Sequence, residues 1–337
     1  MRLKFNPTYL MRRRVFVALL AFVLTVVPIG YVVGTYLQYQ SQIAYPISKN
    51  EIEKPKEPLI GAYLKGGYWS RFWFGQASGI RLNTMLSFRS LGSYPTFDLR
   101  NYTKYADNGI VPLVSFEPWN PAYGPADIAY SLQRVKSGFY DRQFASWADN
   151  MRKFGKPIML RFAHEMNGPW YPWGATVNGN TPADYIGAWR HVHDLFVKHR
   201  ATNVVWVWSP NVVNRIGHIP LKSFYPGDKY VDMLGLVGYY KSSSDTFDSI
   251  FSSSLSEIAR FSSKPLILSE TGVSRYIKDP KAKIKDLFSG IMAHPQIVGI
   301  YWFQDDKRFP WAMTRPEEFQ AFAQGVQKLR DNWNEGR

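Results

Sequence analysis

Arg161, His164 and Glu165 stand close together between an apolar run at 157–160 and the turn residues Asn167-Gly168-Pro169. A short apolar run reads as a buried strand and Asn-Gly-Pro as a turn, so the three polar groups crowd a strand end. A charge buried there needs a partner. Trp170, Tyr171 and Trp173 follow at once. A carboxylate that can protonate an oxygen, beside flat aromatic faces that can stack on pyranose rings, is equipment for cleaving a glycosidic bond. The competing reading is a structural Arg161–Glu165 ion pair with the tryptophans in the core. A second carboxylate, Glu270, lies in Ser269-Glu270-Thr271-Gly272, which by itself could equally be a helix N-cap. No histidine follows His164-Glu165 at metalloprotease spacing, and His191 and His193 cannot share a helix face. No metal or cofactor is therefore expected.

Short apolar runs that could position these groups recur at 59–63, 82–88, 110–116, 158–162, 203–208, 233–237, 265–268 and 297–303. Between most of them lie helical patterns, at 97–107, 139–154, 182–199, 246–261, 280–294 and 316–333. Thr181-Pro182 and the 314–316 segment have the composition of helix starts. The stretch 70–79 is aromatic and ambiguous, and 212–229 has room for a short helix only. Eight strands alternating with helices predict an α/β fold, a (β/α)8 TIM barrel, in preference to an open doubly wound sheet. In such a barrel function gathers at the C-terminal strand ends, and there Glu117, His164-Glu165, Trp208 with Asn211, Tyr239, Glu270 and Trp302 recur. Glu165 on strand four and Glu270 on strand seven would face one another across the barrel. They form the pair of carboxylates that glycoside hydrolysis requires. Glu117 is either a third carboxylate of the site or an ion-pair partner for Arg161.

The segment Arg161-Phe162-Ala163-His164-Glu165-Met166-Asn167-Gly168, with Trp170-Tyr171-Pro172-Trp173, resembles glycoside hydrolase family 26, known for β-mannanases and mixed-linkage β-glucanases. The resemblance implies a retaining enzyme with Glu165 as general acid/base and Glu270 as nucleophile. It further implies that His164 orients the acid/base, that Tyr239 hydrogen-bonds the nucleophile and that Trp302 floors the site. Arg161 is expected in support, and Trp170, Trp173, Trp208, Glu117 and Asn211 in substrate binding. Val237 stands where the family often carries an acid, a departure that touches substrate contacts rather than chemistry. The expected activity is endo-cleavage of a β-mannan-type polysaccharide. The alternatives are a β-glucan or the cell's own exopolysaccharide, and, in another class, a non-catalytic polysaccharide-binding protein.

The 337 residues include 12 Trp, 21 Tyr and 22 Phe, no cysteine, and a net charge of +15. Without cysteine there is no disulfide or thiolate chemistry. Dense Lys/Arg runs are absent beyond residue 58, which excludes nucleic acid as the expected partner. Arg2, Lys4, Arg12, Arg13 and Arg14 precede an uncharged apolar stretch at 15–37, whose 23 residues suffice to cross a bilayer core of ~30 Å. The charge asymmetry predicts a cytoplasmic segment 1–14 and a transmembrane anchor 15–37. A polar linker 38–58 and an extracytoplasmic catalytic domain 59–337, acting as a monomer, complete the expected organisation. A cleaved signal peptide would end in small residues, unlike Gly34-Thr35-Tyr36-Leu37-Gln38.

Overall fold

The computed structural model describes residues 45–46, 48–213 and 218–336. Eight parallel strands close into one barrel in sequential order. They are β1 (Leu59–Leu64), β2 (Thr84–Ser90), β3 (Val111–Glu117), β4 (Ile158–Phe162), β5 (Val204–Trp208), β6 (Met233–Tyr240), β7 (Leu266–Val273) and β8 (Ile297–Gln304). The (β/α)8 expectation is met. β7 extends beyond the predicted 265–268 run, with register shifts on both sides, so Glu270 lies within the strand and not just after it.

Helices pack outside the barrel: α1 (Lys49–Glu53), α2 (Ser70–Ser78), α3 (Leu99–Ala106), α4 (Leu132–Lys136), α5 (Asp141–Phe154), α6 (Pro182–Lys198), α7 (Ser253–Ile258), α8 (Pro280–Met292) and α9 (Pro316–Asn334). Local chemistry sets their starts. At α6 the Thr181 hydroxyl accepts from the Asp184 amide at 3.2 Å and Asp184 accepts from the Thr181 amide at 3.1 Å, a reciprocal cap with Pro182 in the first turn. Asp279 caps α8 through the Ala282 amide at 3.0 Å. The ambiguous 70–79 stretch is the helix α2. In the 212–229 segment the described residues form one turn of 3₁₀ helix, Leu221–Phe224.

Side-chain parity divides two cores. Leu59, Leu86, Val111, Leu113, Met159, Val205, Val207, Met233, Ile267 and Tyr301 fill the barrel, while their strand neighbours pack under the helices. The Tyr301 hydroxyl, which would be costly to bury unpaired, bonds Thr84 at 2.6 Å.

The described part of the expected linker is packed rather than free. Ile52 of α1 is fully buried in the barrel core, Lys49 pairs with Asp232 at 2.7 Å, and the Tyr45 hydroxyl donates to the Pro157 carbonyl at 2.5 Å. Polar composition concealed this, because a single buried isoleucine suffices to plug the end. The N-terminal face is thus closed from residue 45 onward. The segments expected at 1–14 and 15–37 lie outside the described residues. Among the described residues no helix is long and apolar enough to cross a membrane.

Replacing Ile52 with Ala should lower the free energy of unfolding by about 2–5 kcal/mol, the range for truncating a buried aliphatic side chain to Ala. Urea titration checks this; an unchanged midpoint would mean that α1 does not belong to the folded unit.

Candidate active site

At the C-terminal end of β4 the chain leaves regular geometry. Ala163 and Glu165 both adopt positive φ, 43° and 53°. Non-glycine residues pay roughly 1–3 kcal/mol for such conformations, which persist only where surroundings impose them. Here the Glu165 amide donates to the Ser209 carbonyl of the β5 end at 2.7 Å, and the Glu165 carbonyl accepts from Gly168 at 2.9 Å. The twist aims Glu165 into the barrel mouth. The loop beyond it is internally tied: Trp173 Nε1 donates to the His164 carbonyl at 2.6 Å and Asn180 Nδ2 to the Pro172 carbonyl at 2.6 Å. A β-carbon on Gly168 would lie 2.3 Å from the Trp170 ring, so only glycine lets this indole fold back. Trp170 Nε1 then reaches Glu165 Oε2 at 2.5 Å, and Asn211 Nδ2 reaches Glu165 Oε1 at 2.7 Å. Asn211 is itself held by Asn167, whose amide oxygen accepts from the Asn211 backbone at 2.9 Å.

Glu270 has different partners. Arg161, wholly buried on β4, donates from Nη2 to Glu270 Oε1 and from Nε to Ser115 Oγ at 2.6 Å. Tyr239 of β6 donates its hydroxyl to Glu270 Oε2 at 2.9 Å. Both oxygens of Glu270 therefore face donors, one of them a cation. Burial holds the Tyr239 hydroxyl well above its ordinary value, with the Glu270 charge reinforcing it, so it stays a phenol and a donor.

Glu165 lies close enough to Glu270 to feel its charge, and electrostatics sets the two apart. Burial, then the charge on Glu270, pushes Glu165 up to about 7, against the smaller pull of Asn211 and Trp170. Burial also raises Glu117 to about 7, countered by Trp119, which donates to it at 3.1 Å, and by Lys307. His164 is driven well below its usual range by burial first and Arg161 second, and is neutral.

The structure brings Arg161, His164, Glu165, Trp170, Asn211, Tyr239, Glu270 and Glu117 together at the mouth, and it corrects several expected contacts. Arg161 pairs with Glu270, not with Glu165 or Glu117. His164 lies against Glu270, with Nε2 3.9 Å from Oε1, and against Tyr171 at 3.1 Å; no contact with Glu165 supports the orienting role expected for it. Trp302 is not the floor: it points outward against Phe322 of α9. Trp208 also faces the helix layer, bonded to the Phe224 carbonyl at 3.2 Å. Trp173 is fully buried beneath Tyr171, its ring 4.4 Å away, so it supports the wall without lining it.

An aromatic cluster that sequence reasoning missed backs the barrel mouth instead, with Phe303 itself buried. Phe303 stacks on Tyr63 at 4.9 Å, beside Phe88, and the Lys307 ammonium lies 4.8 Å from the Phe303 ring centre. The signal for them is parity. Once Tyr301 faces inward, Phe303 does too and Trp302 cannot.

The profile described as Glycosyl hydrolase family 26 matches residues 133–283, a span holding both glutamates. Endoglucanase H of Acetivibrio thermocellus is 32% identical over 238 residues, covering 66% of this chain and 25% of that protein. Mannan endo-1,4-beta-mannosidase of Bacillus subtilis (strain 168) is 28% identical over 165 residues, covering 43% of each. The chain thus spans a quarter to under half of the length of these relatives. Among solved structures, the family 26 domain of an endo-beta-mannanase/endo-beta-glucanase from Prevotella bryantii superposes with a TM-score of 0.62 at 16% identity. That alignment covers 83% of this chain and 93% of that one, a likeness of fold.

The raised affinity of Glu165 for its proton has a consequence for stability. The unfolded chain releases this proton near the ordinary carboxylate value and the folded chain only near 7, so the unfolded state binds fewer protons in between and stability falls as pH rises through that window. Glu165→Gln removes this titration. The stability of the native chain relative to the variant should drop by up to roughly 3 kcal/mol between pH 4 and 8. Denaturant unfolding across pH measures it; a difference independent of pH would contradict the assignment.

Proposed function

The chain belongs to glycosyl hydrolase family 26, and on that premise we propose that it is a retaining, endo-acting β-glycoside hydrolase. Its proposed substrate is a β-mannan-type polysaccharide. The supporting observation is the unequal treatment of two electrostatically coupled carboxylates: Glu165 keeps a proton near neutral pH, while Glu270 receives the Arg161 guanidinium and the Tyr239 hydroxyl. In the first step Glu165 gives its proton to the glycosidic oxygen as Glu270 attacks the anomeric carbon, releasing the leaving chain and forming a glycosyl ester. In the second step Glu165, now a carboxylate, takes a proton from water. That water attacks the anomeric carbon and frees Glu270. Tyr239 holds the nucleophile's orientation, Asn211 and Trp170 that of the acid. The exposed Trp170 and the half-buried Tyr63 offer flat faces to the sugar, backed by the buried Phe303, and Glu117 offers hydrogen bonds. A β-glucan is the second reading, favoured by the extent of the match to Endoglucanase H.

Reducing-end assays on β-1,4-mannan, galactomannan, mixed-linkage β-glucan and β-1,3-xylan decide the sugar, and new ends on none of them would overturn the reading. On the cleaved polymer, Glu165→Gln and Glu270→Gln should each lower kcat by at least about a hundredfold, since general acid–base catalysis alone contributes 10²–10⁴. Tyr239→Phe should reduce kcat while leaving the thermal midpoint in place. The alkaline limb of kcat/KM should fall near pH 7, where Glu165 loses its proton; full activity at pH 9 would exclude Glu165 as the acid.

We further propose that the 15–37 segment tethers the enzyme, with its barrel outside the cytoplasmic membrane. The apolar length and the basic flank of that segment support this. Protease added to intact cells should then release the barrel and leave a small N-terminal fragment; mature protein starting near Gln38 would show cleavage instead.

A further inference from the structure

The stretch 70–79 is aromatic beyond what its packing uses. α2 docks through Phe74, which meets Phe319 and Phe322 of α9 edge-on, and through the buried Arg71 and Ser78. Its outer side carries two tryptophans one turn apart: Trp69, at the residue before the helix, is 61% exposed and Trp73 is 75% exposed. Scattered exposed apolar residues are common, but two indoles on one small surface mark an interaction site. The arrangement is held in place. Gly66 and Gly67 turn the chain with φ of 93° and 68°, and Ser70 Oγ donates to the Lys65 carbonyl at 2.8 Å. Trp69 packs against Tyr68 and stacks near Phe72 at 6.0 Å. Trp69 therefore has little side-chain freedom left to lose on binding.

We infer that Trp69 and Trp73 form a second glycan-binding surface, which holds a neutral stretch of the polysaccharide outside the cleft. The inference rests on the proposed glycosidase function for the identity of its ligand. Location supports it: the tryptophans follow the C-terminal end of β1, whose Tyr63 stacks on Phe303 in the cleft wall, and Lys65 of the same turn reaches Asp305 of the β8 loop at 3.7 Å. The platform and the cleft therefore open at the same end of the barrel, within reach of one extended chain. Charge selects the ligand class. The exposed positions of α2 are Trp73, Gln76 and Ala77, without a cation; the exposed Lys65 of the preceding turn is paired with Asp305, and Arg71 is buried under the Tyr68 and Phe72 rings. An anionic membrane surface is attracted by Lys and Arg beside the aromatics, whereas a pyranose face needs only flat apolar area.

The test uses the full-length chain carrying Trp69→Ala, Trp73→Ala or both. KM on soluble glucomannan and on mixed-linkage β-glucan should rise on the order of tenfold in the double variant, the size of losing an aromatic anchor. kcat/KM on a tetrasaccharide of the same linkage, too short to reach the platform, should stay unchanged, which also reports an intact fold. Affinity electrophoresis in the Glu165→Gln background reads binding without cleavage. Loss of retardation with both tryptophans removed supports the platform. Unchanged retardation and KM would overturn it. So would light scattering that shows a dimer dispersed by the double variant, or loss of sedimentation with phosphatidylglycerol vesicles in place of a polymer effect. If the native chain cleaves neither polymer, the substrate reading fails, while retardation still judges the platform separately.

Discussion

A single buried guanidinium governs the site. Arg161 is wholly inside the barrel and bonds directly to Glu270, while three carboxylates, Glu117, Glu165 and Glu270, share the mouth above it. Each ion taken from water costs several kcal/mol unless it is paired and hydrogen-bonded. One arginine cannot satisfy three anions at once. It sits against Glu270, and the other two carboxyls, buried without a bonded cation, keep their protons to about neutral pH. The proposed division of labour between an acid and a nucleophile would follow from where this one positive charge is placed.

The barrel supplies that placement. Parallel strands point alternate side chains inward, so Arg161 of β4 and Glu270 of β7 meet across the lumen although 109 positions separate them. The price is concentrated at the β4 end, where Ala163 and Glu165 take left-handed conformations and Glu165 is fixed by the Ser209 carbonyl. Strain of this kind is tolerated where the surrounding bonds over-determine it. The tightly bonded loop through Trp170, Trp173 and Asn180 provides those bonds.

Much of this was legible in the sequence, and the failures share one cause. The strands were visible because each apolar run is short and bounded, and the two glutamates because carboxylates at strand ends need partners. Strands buried on both faces read as continuous apolar runs. Tyr301, Trp302 and Phe303 are all aromatic, so nothing local distinguishes the inward residue from the outward one, and Trp302 and Trp208 face the helices rather than the mouth. The partner of Arg161 was undecidable for a similar reason, because a bond across the lumen leaves no trace in neighbouring residues. In α2 the aromatic outer side masked the helical periodicity, and in α1 the polar composition hid the one residue that docks it.

The central claim is that Glu270 attacks while Glu165 donates. It is tested most directly by the anomeric configuration of the first product, followed by proton NMR during early cleavage of a reduced β-linked oligosaccharide. Double displacement predicts that the β-anomer appears first and the α-anomer only later by mutarotation. An α-anomer at the outset would mean that water, not Glu270, attacks the sugar, and would contradict the account.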